Sequence, residues 1–326
     1  MSNLDLENPP IDQDQARLAW SVISSAQNIG IISHRQPDPD SIGSNLALNF
    51  ALSSLGKTIQ SICIDAPPHN THFLPKVKDY QQILDLNRYD LLISVDCGSE
   101  GQVAFNKSHP GLFEKNFINI DHHASNNHFG KINIVETTLS STCEIVFYLL
   151  KYWRLSITRE IATFLLFGLF YDTGSFMHSN VTPAVLEIAS LLQSYGASHQ
   201  LIINNLYKNF TESKYQIWGE TLEKIKVTEQ GIAVGVLSEQ DFQKHRVSTE
   251  EVSGLIDYFS MCKESNLAAL ISQDKPGQIK GSLRTRKDTF NLSDMAGKMG
   301  GGGHKKASGF SFPGNIKKET IWKITN

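Results

Sequence analysis

The side chains able to do chemistry cluster in four short stretches. ISHRQPDPDSIGS (32–44) carries His34, Asp38 and Asp40, SVDCGS carries Asp96, NIDHH carries Asp121, His122 and His123, and GLFYDTGS carries Asp172. Carboxylates crowded together repel one another and are costly to desolvate, so such a cluster is stable mainly when cations neutralise it. One divalent ion could not satisfy them all. Two ions roughly 3.5–4 Å apart, bridged by a shared carboxylate and a water, could, and that layout suits attack on phosphorus. Mostly oxygen ligands with two imidazoles suit Mn²⁺ better than Mg²⁺, while affinity rules leave Co²⁺, Zn²⁺ and Fe²⁺ open.

Taken singly, each residue also has a plainer account. Asp40 can cap the next helix from a surface turn. Asp172 can close a helix ahead of Gly174. The paired histidines can end a strand in solvent, and Asp96 can sit in a turn. A shared metal site replaces four separate explanations by one. Pro37 and Pro39 push the residues before them toward extended geometry, so Asp38 and Asp40 are expected to point the same way.

The elements that must position these groups follow from the apolar pattern. RLAWSVISSAQNI reads as an amphipathic helix and GIIS as a buried strand ending at His34. SIGSNLALNFALSSLG has helical spacing and stops at Gly56. TIQSICID, YDLLISVD and NFINID are three further strands, the last two ending at Asp96 and Asp121. Strands alternating with helices predict a parallel α/β sheet, in which ligands gather at the carboxyl ends of the strands. His34, Asp96 and Asp121 all fall there.

From Ser140 to about Lys224 the pattern is helical. It includes the run Ile161–Tyr171, which is too short to span a bilayer and reads as a buried core helix. Thr182 and Pro183 begin a further helix as cap and first-turn residue. The last third changes to a hairpin turning at Gln230-Gly231, the strands LAALISQ and IKGSLRT, and the short helix LSDMAGKM. The expected fold class is α/β, a parallel-sheet N-terminal domain with helices on both faces and a smaller α+β C-terminal domain across a cleft. The expected boundaries are 1–200 for the metal-binding domain, 201–220 for a helical linker and 221–326 for a substrate-binding domain.

Composition narrows the partners. With 30 Lys and Arg against 33 Asp and Glu, the formal net charge is −3, which lacks the basic excess of a protein that coats long nucleic acid. Small anionic substrates remain open. Four cysteines without CxxC spacing suggest neither a disulfide framework nor a zinc ribbon. The polar, acidic start lacks the pattern of a secretory signal, and the expected location is the cytoplasm, away from membranes.

Five segments resemble the DHH phosphoesterase superfamily, in the subfamily carrying the DHH-associated C-terminal domain: ISHRQPDPDSIGS, SVDCGS, NIDHH, GLFYDTGSFMHSNVTP and GGGGHKKASGF. They run in order from about residue 30 to 312. The departures are Ser41 and Ala307-Ser308, where alanines are common, and none is a proposed ligand. The resemblance implies one metal on His34, Asp38 and Asp96, and a second on Asp40, Asp96, His122 and Asp172, with Asp96 as bridge. It implies a bridging water as the attacking group. His123 is implied as a contact to the scissile phosphate or the leaving oxygen. Asp121 is expected to orient an imidazole or support the loop and not to bind metal.

In the C-terminal domain the resemblance points to Arg284, Gly302, Gly303 and His304 as substrate contacts. Glycines let backbone N–H groups turn toward an anion, and Arg284 could grip a phosphate with two parallel bonds. Arg286, two residues on, can share its face or form a solvated basic edge. Lys305 and Lys306 are expected as surface charges. A phosphate pocket one or two nucleotides from the metals would act as a ruler that admits short chains and excludes long duplexes.

The domain lengths resemble the oligoribonuclease and pAp-phosphatase members. The implied activity is cleavage of very short RNA to 5′-mononucleotides and removal of the 3′-phosphate of pAp. Hydrolysis of pApA or cyclic di-AMP is the alternative, followed by a pyrophosphatase or polyphosphatase and, from another class, a non-catalytic nucleotide sensor. Family analogy also implies a homodimer.

Overall fold

The computed structural model describes residues 4–249 and 251–317. The chain divides between Asn209 and Phe210 into two compact units. The first begins with α1 (Gln13–Ser25), capped by the Asp12 carboxylate, and β1 (Asn28–Ser33). Then come α2 (Pro39–Ser53), β2 (Thr58–Ile62), β3 (Leu91–Val95), α3 (Glu100–Val103), β4 (Phe117–Asp121) and β5 (Ile132–Val135). The helices α4 (Thr142–Tyr152), α5 (Arg159–Asp172), α6 (Pro183–Ser194) and α7 (His199–Tyr207) complete it.

Its sheet is parallel throughout, in the order β2-β1-β3-β4-β5. The chain steps outward from β1 to β2, then returns to β3 on the other side of β1. Winding reverses between β1 and β3, and open α/β sheets leave a ligand crevice at such a point, beyond the carboxyl ends of the strands. Alternation sends Ile29, Ile31, Ile93, Val95, Ile118 and Ile120 into the core shared with α2, α4 and α5. Ile32, Leu92 and Phe117 face the other side, where Val103 of α3 and Leu84 and Leu112 from short connecting segments cover them.

The edge strand β5 was not expected from the sequence. It is four residues long and buried only at alternate positions, so it lacks the apolar run of the inner strands. Asp38, rather than Asp40, caps α2: at φ −99° and ψ 179° its Oδ1 accepts the Asp40 and Ser41 N–H groups at 3.0 Å each. Pro39 occupies the first turn, where its missing N–H does no harm.

The second unit holds α8 (Glu212–Glu223), β6 (Lys226–Val227), β7 (Ile232–Leu237), α9 (Glu239–His245), α10 (Leu255–Ser260) and β8 (Leu267–Lys275). It continues with β9 (Gln278–Thr285), α11 (Leu292–Gly297), β10 (Gly302–His304) and β11 (Ala307–Pro313). The sheet order is β10-β11-β9-β8-β7-β6, with β7 and β8 parallel and the other pairs antiparallel. Ala268 and Leu270 pack with Trp218 of α8, Phe242 of α9 and Phe259 of α10. Leu267 and Leu283, one residue out of phase, pack with Leu292 and Ala296 of α11 on the opposite face. The stretch 201–220 holds parts of two helices, α7 in the first unit and α8 in the second.

Candidate metal centre

The ends of three neighbouring strands and two helices bring the acidic and imidazole groups of the first unit together. His34 follows β1, Asp38 caps α2, Asp40 lies in its first turn, Asp96 follows β3, Asp121 ends β4, and Asp172 ends α5. Ligand atoms of His34, Asp38 and Asp96 lie within 4.8 Å of one another, as do those of Asp40, His122 and Asp172, and those of Asp96, His122 and His123. The Asp96 Oδ2 is 3.4 Å from His34 Nε2, and its Oδ1 is 3.6 Å from His122 Nε2. One carboxylate therefore touches both halves of the cluster. Asp38 and Asp40 do not act as a pair: Asp38 belongs to the His34 half and Asp40 to the His122 half, because one caps the helix and the other is inside it.

The burial of these groups is held by specific bonds. Asp40 is fully buried, and both its oxygens accept backbone N–H groups at the start of α4, from Thr142 at 2.7 Å and Cys143 at 2.9 Å. A helix N-terminus favours a carboxylate there. Asp96 sits at φ +59°, a left-handed conformation that aspartate tolerates better than most residues. The Thr142 hydroxyl donates to its Oδ1 at 3.1 Å. α2 and α5 approach closely because Gly168 has no side chain: a Cβ there would meet Asp40 Oδ1 at 2.6 Å and its Cα at 2.8 Å.

Charge is unbalanced without cations. Burial raises the Asp40 pKa well above the carboxylate range, and the neighbouring Asp96 and Asp172 charges raise it further. Asp172 is also raised by burial, against the opposing pull of His122. For His34 and His122, burial acts to lower the pKa, yet the hydrogen bonds and charges of Asp38 and Asp96, and of Asp172, Asp96 and Asp40, overcome it and hold both well above the usual imidazole value. Burial likewise opposes ionisation of Asp96, but His34, His123 and His122 hold its carboxyl well below the ordinary range. Among the described residues, the ion pairs of Asp38, Asp40, Asp96 and Asp172 are all to imidazoles; no lysine or arginine takes part. The donor set, oxygen-rich with imidazole nitrogens and no cationic side chain, fits divalent cations.

His123 also reaches the shared carboxylate, its Nδ1 3.6 Å from Asp96 Oδ1. Its Nδ1 lies 2.7 Å from Asp121 Oδ1, and Asn126 donates to the other Asp121 oxygen at 2.6 Å and to the Cys97 carbonyl at 3.1 Å. The Asp121 contact overrides burial and raises the His123 pKa. Thr142, Cys143 and Asn126 were not singled out from the sequence. The start of α4 was readable as a helix, but which carboxylate its free N–H groups would meet, across about a hundred residues, was not.

The residues expected in the second unit meet on one sheet. Arg284 of β9 pairs with Ala307 of β11, and Ala307 pairs with His304 of β10, so the three register positions form one row. The next row in the same phase holds Ser282, Gly309 and Gly302. Gly303 takes φ +133°, and a Cβ would approach the Ala307 oxygen to 2.6 Å, so this glycine is required by the hairpin itself. The His304 side chain lies outside the described residues. Lys306 pairs with Asp288 at 2.9 Å, and Arg286 donates to the Cys262 carbonyl at 3.0 Å.

A parallel sheet with an acid and imidazole cluster at its switch point, joined to a mixed-sheet unit, defines the class: the chain belongs to the DHH family. Residues 28–169 match the DHH family N-terminal domain and residues 223–326 the DHHA1 domain. It is 31% identical to the bifunctional oligoribonuclease and PAP phosphatase NrnA of Thermus thermophilus, over 92% of this chain and 89% of that protein. It is 25% identical to the NrnA of Bacillus subtilis, over 89% of this chain and 90% of that one. The cyclic-di-AMP phosphodiesterase GdpP of Geobacillus thermodenitrificans is 25% identical over 87% of this chain but only 44% of its own length. A crystal structure of an exopolyphosphatase-related protein from Bacteroides fragilis superimposes with a TM-score of 0.83 at 27% identity, covering 94% of this chain and 93% of that one.

Proposed function

We propose that the protein is a dinuclear-metal phosphoesterase that cleaves very short oligoribonucleotides to 5′-mononucleotides and removes the 3′-phosphate of pAp. The observation that carries this reading is the sharing of Asp96 between a His34–Asp38 half and a His122-containing half of one buried cluster. The names of the Thermus and Bacillus relatives, aligned over most of both chains, support the substrate class.

His34, Asp38 and Asp96 would hold one cation, and Asp40, Asp96, His122 and Asp172 a second, with Mn²⁺ the best match to the donors. Two such cations stabilise charge on phosphoryl oxygens and lower the pKa of a water. Asp40 and Asp96 are held by bonds from the start of α4, which orients two of the proposed ligands. The Nδ1 contact to Asp121 fixes the His123 ring, and His123 would meet the scissile phosphate or protonate the leaving oxygen. Arg284, Gly302, Gly303 and His304 would bind a substrate phosphate. All four cysteines are free, in keeping with the reducing cytoplasm. Family analogy adds a homodimer.

Hydrolysis of pApA or cyclic di-AMP is a second reading, favoured by the likeness to GdpP. The test is one preparation assayed on a 2- to 5-mer RNA, pAp, pApA, cyclic di-AMP, polyphosphate and pyrophosphate, with Mn²⁺ and with EDTA. We expect turnover of short RNA and pAp that EDTA abolishes. Preference for cyclic di-AMP or polyphosphate over both, or activity that survives EDTA, would overturn the reading.

A further inference from the structure

Arg284 is not presented bare. Its Nε donates to Asp257 Oδ1 at 2.7 Å, and its Nη1 donates to the Leu283 carbonyl at 3.0 Å. Asp257 lies on α10, whose apolar side packs on the sheet through Leu255, Ile256 and Phe259. A guanidinium carries N–H donors on all three nitrogens. These two bonds occupy Nε and one side of Nη1, and leave the Nη1–Nη2 end of the fork, the pair that meets two oxygens of a phosphate in parallel.

We propose that Asp257 is a positioning residue that aims Arg284 at a phosphate group of a nucleotide, and so sets affinity without touching the reacting atoms. The inference rests on the substrate-binding role proposed for Arg284. The pair is part-buried, its side chains 27% and 33% exposed. Its geometry is specific. A long arginine side chain otherwise samples many rotamers, and ordering it in advance removes that entropy loss from the binding step. The register adds direction. Arg284 shares its row with Ala307 and the His304 position, and the next row in the same phase holds Gly309 and Gly302.

The opposite sign is physically available. Asp257 is an anion beside a site for anions, and it could compete with phosphate for Arg284. The two roles predict opposite results for Asp257→Asn, which is nearly isosteric and keeps one hydrogen-bond acceptor. The experiment is a double-mutant cycle of Asp257→Asn and Arg284→Ala on the full chain. It is read by calorimetric binding of AMP and by kcat and KM for a short RNA with Mn²⁺. Positioning predicts that Asp257→Asn weakens AMP binding and raises KM by roughly tenfold, about one charge-assisted hydrogen bond, with kcat changed far less. It also predicts that Asp257→Asn adds nothing in the Arg284→Ala background.

Unchanged or tighter AMP binding in Asp257→Asn overturns the inference, as does an additive loss in the double variant, and either leaves the phosphoesterase reading standing. Wild-type protein that hydrolyses none of the substrates yet shows the non-additive cycle for AMP sinks that reading and supports this one. Wild-type protein that neither binds AMP nor turns over RNA overturns both.

Discussion

The two functional regions are built on opposite physical plans. In the first unit the side chains of Asp40, Asp96 and His122 are 0%, 3% and 3% exposed, with Asp38 at 33%, brought from distant segments to one point beyond a parallel sheet. In the second, Arg284 is 27% exposed and reaches its neighbours through the register of an antiparallel ladder. Buried like charges are tolerable only with a cation, so the first site is strict about its residues and defines the chemistry. A part-buried arginine on a sheet, in the substrate-binding role proposed for it, would tune affinity. If the proposed roles hold, the difference means that catalysis and specificity fail in distinguishable ways.

The sharpest break is Asp96→Asn. Asparagine tolerates the left-handed backbone at this position, so the fold survives, while the charge shared by both halves disappears. We expect turnover to fall by about a thousandfold or more, with metal binding weakened at both positions. Substantial Mn²⁺-dependent activity in this variant would remove the bridging role. Arg284→Ala should instead raise KM for nucleotides by ~10- to 100-fold and slow a small generic phosphodiester far less. Equal losses on both substrates would show that the two regions are not separable.

Gly168→Ala tests what holds the first site together. Its methyl would press on Asp40, at a helix crossing with no spare volume. We expect a loss of about 1–3 kcal/mol in stability together with weakened metal binding. A thermal midpoint and metal affinity equal to wild type would show that the crossing has slack.

The first site was more legible in the sequence than the second, for a physical reason. Parallel strands end abruptly, and an Asp or His placed directly after an apolar run, as at His34, Asp96 and Asp121, is visible without knowing the partners. The helix cap is Asp38, two residues ahead of the expected Asp40, because the two share a side chain and only the backbone shows which one turns back to the N–H groups. In the second unit, α9 and α10 are seven and six residues long, too short for a helical period to stand out, and Asp257 went unnoticed with them. The pairing of Arg284 with Ala307 and of Ala307 with His304 depends on strand register, which a one-residue slip would reverse.

The smallest effect, and the one that bears most directly on cation dependence, is the pH response of metal-free protein. His34 and His122 are raised above the ordinary imidazole value, so their contribution to stability is complete below about pH 6.5 and is lost as pH rises through their folded values. Asp40 and Asp172, also raised, act in the same direction from the ordinary carboxylate range upward, because the folded state holds their protons longer than the unfolded chain does. Asp96, shifted down, loses its contribution only in strong acid and does not oppose them near neutrality. EDTA-treated protein should therefore lose stability as pH rises above about 6.5, seen as a falling thermal midpoint. Saturating Mn²⁺ should remove that fall, since cations replace the protons that otherwise relieve the carboxylate repulsion. A midpoint in EDTA that holds steady or climbs over this range would mean the cluster is not short of positive charge, and the contrast between a cation-dependent site and a cation-independent one would lose its basis.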